Sequence, residues 1–356
     1  MTPQDQPRIV IVDGYSAGRE LVRELLERNV ECLHLRSSSH RPAPAGFDPT
    51  LYDADLGYAG DIDAAIQLLD ELAPDAVVAG SERGAMFAEL IARGLELPAN
   101  MPEMLVARRR ALAALRLARR PSLQAPGELP THFAVNAVCE NGRPFVTDAW
   151  RMLRVAGDSG PRLDGFRLLD PDIAETEALI DIAGDVLERL GVVGGAAHTQ
   201  LAWTADGPAL VGAAACLAAD PMDRAPYVAA GLHTQAGELA GLLAAGADRN
   251  AGVAPGRYRP QRHMTKLLFN FSAPAAIVSL TGLSRLRQLA SFHSLYRPLA
   301  PGDRVRRSNA WLADGGVVYL VHDEAEQISA DARQFRLWES RGELYGLAKL
   351  NEGAVR

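Results

Sequence analysis

Within the first hundred residues, short apolar runs alternate with helical patterns, and that alternation leaves few folds open. Arg8 to Asp13 (RIVIVD) reads as a buried strand. It is followed by GYSAG and an amphipathic helix near Arg19 to Arg28, with Leu21, Leu25 and Leu26 on one face. Glu31 to Leu35 supplies a second strand, Ile62 to Leu72 a helix, Asp75 to Ala79 a third strand and Gly84 to Arg93 another helix. Strands separated by helices predict a parallel sheet covered on its faces through about residue 100. The GYSAG turn lacks the glycine spacing of the dinucleotide fingerprint, so no nicotinamide site is expected there.

Beyond residue 130 the pattern changes to hairpins. Phe133 to Cys139 and Pro144 to Trp150 flank Asn141-Gly142, a pair that tolerates the positive φ of a tight turn. Asp170-Pro171 is expected to open a helix as cap and first turn, with Ile173, Ile180, Leu187 and Leu190 as the buried stripe up to Gly191. A second hairpin is predicted from Ala197 to Trp203 and Ala209 to Ala215, around Ala205 to Pro208. Past about residue 256 come short strands, turns at Pro301-Gly302 and Gly315-Gly316, a strand Val317 to His322, and a helix near Ala325 to Arg341. The fold class is therefore α/β followed by α+β, with a small β-rich C-terminal region. Between the two halves, Glu103 to Arg120 reads as a helix rich in arginine and Pro121 to Pro130 as a linker. The arginine face is either a phosphate site or a solvated surface, and the charge run favours the surface.

Composition narrows the function classes. The chain has 356 residues, 48% hydrophobic and 23% charged, enough for well-packed cores. No apolar stretch is long enough to span a bilayer and no signal pattern opens the chain, which predicts a soluble, cytoplasmic protein. Cys32, Cys139 and Cys216 have neither metal nor disulfide spacing, and a net charge of -7 argues against nucleic acid or an anionic membrane as partner. Of the 37 basic residues only Lys266 and Lys349 are lysines. A phosphate site that needs a lysine ammonium cannot be built from the first 265 residues.

Several strings, in order, resemble the ATP-grasp superfamily, within it the L-amino acid ligases and related carboxylate-amine ligases. They are DGYSAG (Asp13 to Gly18), AGSE (Ala79 to Glu82), Asn100 followed by ARR (Ala107 to Arg109), and VTDAWR (Val146 to Arg151). AHTQ (Ala197 to Gln200), DGPALV (Asp206 to Val211), SFHSL (Ser291 to Leu295), PGD (Pro301 to Asp303) and LVHD (Leu320 to Asp323) complete the series. The resemblance implies a Rossmann-like N-terminal domain over 1–105 and a remnant helix and linker over 106–130. It further implies a truncated ATP-grasp α+β domain over 131–255 and a β-rich region over 256–356.

It also implies an activity: activation of a carboxylate as an acyl phosphate, which an amine then attacks. That chemistry needs cations on the ATP phosphates and carboxylates on magnesium. Here the family's Asp and Lys after ARR read Arg110 and Ala111, and only Leu112 to Leu129 stand where a lysine- and glycine-bearing nucleotide lobe would be. The family's HTE reads His198-Thr199-Gln200, and its next Glu and Arg read Gly212 and Cys216. ATP, magnesium and ordinary ligation are therefore expected to be lost, with no metal site in their place.

What remains is a set of candidates. Alternation puts Asp148 and Trp150 on one strand face and Arg151 on the other, where Arg151 either clamps a substrate carboxylate or fastens the hairpin through Asp148. His198 and Gln200 share a face, and Cys216 lies near enough in register for a His-Cys base and nucleophile, against the alternative of a buried small hydrophobe. Ser16 and Ser81-Glu82 follow strand carboxyl ends, where α/β sheets bind ligands, with N-capping as the other role for both serines. His293, His322 and His263 lack ligand-spaced carboxylates or cysteines and read as structural or surface groups. Three functions follow: a non-catalytic partner of an active ligase, a repurposed ATP-independent enzyme using the vacated cleft, or a ligase with an atypical nucleotide site. A homodimer and a small amino-acid-like or carboxylate ligand are expected from the resemblance.

Overall fold

The computed structural model describes residues 6–39, 47–100, 131–155, 162–204, 207–219, 222–245, 256–308 and 315–350. The predicted arginine-rich helix and the linker after it lie outside these residues. The N-terminal unit runs β1 (Arg8–Val12), α1 (Ala17–Leu26), β2 (Glu31–Leu35), β3 (Ala54–Asp55), α2 (Ile62–Leu72), β4 (Ala76–Ala79) and α3 (Ala85–Gly94). Its strands are all parallel, in the order β3-β2-β1-β4. Ile9, Val10, Ile11 and Val12 are wholly buried, as expected for an inner strand with both faces covered.

The glycines of GYSAG and AGSE serve backbone packing. A Cβ on Gly18 would lie 2.7 Å from the Gly80 Cα, and one on Gly80 would lie 2.6 Å from the Gly14 Cα. The turns leaving β1 and β4 thus touch backbone to backbone. Helix α1 starts at Ala17, earlier than predicted, so its buried stripe is Ala17, Gly18, Leu21, Val22 and Leu25. Leu26, predicted inside, is 39% exposed because it falls off that 3.6-residue stripe.

On this unit His34 of β2 is fully buried among Tyr15, Phe47 and Tyr52, with Nδ1 2.9 Å from Asp55. Burial holds its imidazole below the ordinary value of 6.5 despite Asp55. Because the folded chain then binds fewer protons than the unfolded one, stability is full above about pH 6.5 and falls as pH drops below it. His34→Phe keeps the box filled and removes this titration. In denaturant melts at pH 7.5 and pH 5, wild type is expected to lose more stability between the two than His34→Phe.

The remaining chain builds a central sheet of nine strands and a smaller one of three. Its elements are β5 (His132–Glu140), β6 (Arg143–Val155), β7 (Arg162–Leu168), α4 (Ala174–Arg189), β8 (Gly195–Thr204) and β9 (Gly207–Ala214). Next come α5 (Arg224–Ala229), α6 (Gln235–Ala245), β10 (Gly256–Arg257), β11 (His263–Leu268), β12 (Ala275–Ser279) and β13 (Phe292–Tyr296). The chain ends with β14 (Arg304–Val305), β15 (Val317–His322), α7 (Ala325–Ser340) and β16 (Gly346–Lys349). The sheet order is β13-β15-β11-β7-β6-β5-β8-β9, with β10 added to β6. Asn141 and Gly142, at φ 51° and 74°, make the predicted tight turn between β5 and β6.

The C-terminal strands do not form a separate β-rich body. β11, β13 and β15 extend the central sheet, while β12, β14 and β16 form a second sheet of three. The reason is visible in β11, whose HMTKLL run is buried at five consecutive positions and so requires a strand on both sides and cover on both faces.

Helix α4 also departs from expectation. It begins at Ala174, and Asp170 instead accepts the Asp172 N–H at 2.9 Å. Ile173 is 51% exposed, and the buried stripe is Thr176, Leu179, Ala183, Val186 and Leu187. On the sheet's other face, Gln235 opens α6 and fastens it. Its Nε2 donates to Ala137 and Ala197 carbonyls at 2.9 and 2.8 Å, and its Oε1 accepts from Ala218 N–H at 2.9 Å.

Candidate functional site

Register across the central sheet brings the predicted polar residues into one row. Asp148 of β6 faces Asn136 of β5, which faces His198 of β8, which faces Ala214 of β9. One pleat further, Trp150, Ala134, Gln200 and Gly212 repeat the row on the same face. Asp148 is fully buried and its oxygens are occupied. Oδ1 accepts from Asn136 Nδ2 and Trp150 Nε1, both at 2.5 Å, and Oδ2 from the Thr147 hydroxyl at 3.2 Å. Three donors thus surround this buried carboxyl group.

The same face continues into residues that the sequence reading missed. Phe166 of β7, Lys266 of β11 and Tyr319 of β15 lie in register. Lys266 is fully buried, with Nζ 4.0 Å from the Trp150 ring centroid and 3.0 Å from Tyr227 Oη. Tyr227, carried by α5, stands 6.0 Å from Trp150 ring to ring, and Tyr319 Oη accepts the Asp223 N–H at 3.1 Å. An ammonium held against aromatic faces is stabilised without water. The available signal was a lone lysine inside an apolar strand run; only the register across β6, β7 and β11 makes it part of this face.

The other predicted residues lie elsewhere. Arg151 is exposed on the opposite face, in register with Arg167 and Phe133, so it neither pairs with Asp148 nor faces the His198 row. Cys216 follows the end of β9 and is buried. Desolvation pushes its thiol up to about 12, and the charges of Glu82 and Glu89 add to the shift. A raised thiol weighs against the nucleophile role expected for Cys216 beside His198. His198 and Gln200 are half-buried. Glu82 is exposed in the turn after β4. Ser16 is exposed at the start of α1, and neither its hydroxyl nor that of Ser81 makes a capping bond. His263 and His322 face each other on the sheet's surface end, and His293 is exposed. Among the described residues, no group of three or more His, Cys, Asp or Glu is placed to hold a metal ion.

Two cavities adjoin these elements. One, of about 520 Å³, lies between β4 with α3 and the ends of β5 and β9, with Cys139, Cys216 and Glu89 in its wall. The other, of about 170 Å³, lies between the start of α1 and the C-terminal strands. Neither is lined by His198, Asp148 or Lys266.

No protein-family model and no curated protein matches the chain. Solved structures do. The chain is similar to an L-amino acid ligase from Bacillus licheniformis, with a TM-score of 0.69 and 13% identity over 97% of this chain and 99% of that one. It is similar to a phosphoribosylglycinamide synthetase from Anaerococcus prevotii, with a TM-score of 0.66 and 8% identity over 97% and 100%. It is also similar to an N5-carboxyaminoimidazole ribonucleotide synthetase from Thermotoga maritima, with a TM-score of 0.64 and 13% identity over 97% and 100%. At such identities the likeness is one of architecture. The chain has an ATP-grasp-like fold over nearly its whole length.

Proposed function

We propose that this is an ATP-grasp-fold protein without ATP-dependent ligase activity, acting as a non-catalytic partner of an active ligase in amino-acid-derived or specialised metabolism and binding a small carboxylate. One observation carries the reading: among the described residues, the sheet row of His198, Gln200, Gly212 and Ala214 carries no carboxylate, and Asp148 beside it is engaged in hydrogen bonds. Magnesium bound with ATP takes carboxylates and phosphate oxygens in an octahedron. The row presents His198, Gln200, Gly212 and Ala214, and Asp148 is buried with both oxygens in hydrogen bonds. Lys266, a cation on this face, is enclosed by Trp150 and Tyr227. The described residues of this row are a poor match for magnesium held with ATP, which supports the reading.

Two features weigh against the other readings. A repurposed enzyme built on His198 needs an open pocket there, whereas Trp150, Tyr227 and Lys266 pack together farther along the same face and neither of the two cavities described above is lined by His198. A ligase with an atypical site would draw on Arg108 to Arg120, in an interval from 101 to 131 that is short for a separate nucleotide lobe. Calorimetric titration of the purified chain with ATP and magnesium is expected to give no heat and no thermal shift. Micromolar binding would overturn the reading. The partner role is tested by co-purification with a full-length ligase encoded beside the chain, and failure to associate rejects that part alone.

A further inference from the structure

The smaller cavity lies where several stretches of chain converge. Ser16 and Glu20 come from the start of α1, Met222 from the connection between β9 and α5, Tyr296 and Arg297 from the end of β13, and Val317 from the start of β15. Its carboxylate is already saturated. Glu20 Oε1 accepts from Tyr296 Oη at 2.5 Å and from Arg297 Nη2 at 3.1 Å, and lies 3.5 Å from Arg19 Nε, while Arg23 Nη1 is 3.3 Å from Oε2. Three guanidinium groups around one carboxylate leave a local excess of positive charge and of N–H donors.

The rest of the lining divides by chemistry. Ser16 presents a hydroxyl that makes no capping bond, at the positive end of α1, and lines the same cavity as Arg297. Met222, Leu268 and Val317 supply an apolar wall opposite. A volume of about 170 Å³ is below the roughly 300–1,000 Å³ of pockets for larger ligands. Among the described lining residues the one carboxylate, Glu20, is already engaged, which disfavours a cation, and a nucleotide is too large.

We infer that this cavity binds a small monocarboxylate with a compact apolar side group, its carboxylate held by Arg297 and Ser16. Arg297, rather than Arg151, is then the carboxylate clamp. The inference rests on the proposed function for the class of ligand and not for the loss of nucleotide binding, so an ATP titration of either outcome leaves it standing.

The test is calorimetry on the full chain with 4-methylpentanoate and with its uncharged amide. The acid is expected to bind, with the amide at least tenfold weaker. Arg297→Gln weakens the acid at least tenfold. Met222→Trp fills the cavity with the contacts of Glu20 left in place, and abolishes binding while the chain still melts cooperatively. Arg257→Gln, which removes exposed ion pairs to Asp172 and Glu177, binds the acid as wild type does. Absence of heat from the acid, equal binding of acid and amide, or undiminished binding by Met222→Trp would each overturn the assignment.

Discussion

Arg336→Ala is expected to destabilise the chain by about 3–5 kcal/mol at neutral pH, the range found when one member of a buried ionic cluster is removed. Arg336 on α7 joins three parts of the C-terminal half. Its Nε lies 2.8 Å from Asp164 of β7, Nη1 donates to Glu339 at 2.7 Å and to the Leu268 carbonyl at 2.8 Å, and Nη2 donates to the Asp164 carbonyl at 2.6 Å. Asn270 closes the cluster, giving its N–H to Glu339 at 2.7 Å and Nδ2 to Asp164 at 3.1 Å.

Burial raises both carboxyl groups above their ordinary values even with Arg336 opposing it. In the variant the opposition is gone and both rise further. A raised folded value means that the folded form gains stability as pH falls through the carboxylate range and loses it as pH rises. The deficit of Arg336→Ala against wild type should therefore be largest at neutral pH and shrink toward pH 4. Urea unfolding of both proteins from pH 7.5 to pH 4 measures this, and a deficit independent of pH would reject the buried-carboxylate account.

Gly165→Ala is the second large effect. Gly165 of β7 stands opposite Leu267 of β11, and a Cβ there would lie 2.1 Å from the Lys266 carbonyl oxygen. Backbone cannot yield as a flexible side chain can, so the two strands must separate beneath the Lys266 box. A loss of about 3 kcal/mol or more is expected, at the upper end of overpacking. The control is Gly184→Ala within α4, where a Cβ meets nothing within 4 Å. That change should stabilise by about 0.5–1 kcal/mol, since alanine is the better helix former. Thermal melts of the two variants should move in opposite directions; a neutral Gly165→Ala would show that β7 and β11 are held less closely than the structure has them.

Local order in the sequence was enough for the parallel unit and for the β5–β6 hairpin, because both are written in short-range terms. Hydrophobic period distinguishes RIVIV from the helix after it, and Asn141-Gly142 names its turn by the φ it tolerates. The same logic set Asp148 and Trp150 on one face and Arg151 on the other. Where an estimate depended on a single residue of phase it slipped: Leu26 and Ile173 were placed inside and are exposed.

The candidate site divides along the same line. That His198 and Gln200 share a face follows from alternation, but that this face also holds Asn136, Lys266 and Tyr319 depends on which strands are neighbours. β7 and β11 are nearly a hundred residues apart, and no short-range pattern records their pairing. Cys216 shows the same limit, since a thiol's reactivity is set by what surrounds it, and its surroundings are α3 and the turn after β4. The sequence by itself determined the kinds of element, their order and the absence of carboxylates at Gln200 and Gly212. Tertiary structure alone decided that β11, β13 and β15 join the central sheet, that Lys266 sits under Trp150 and Tyr227, and that Arg297 and Ser16 line one cavity. Burial and long-range register are properties of the packed chain, and a residue's charge state and partners are fixed only once they are.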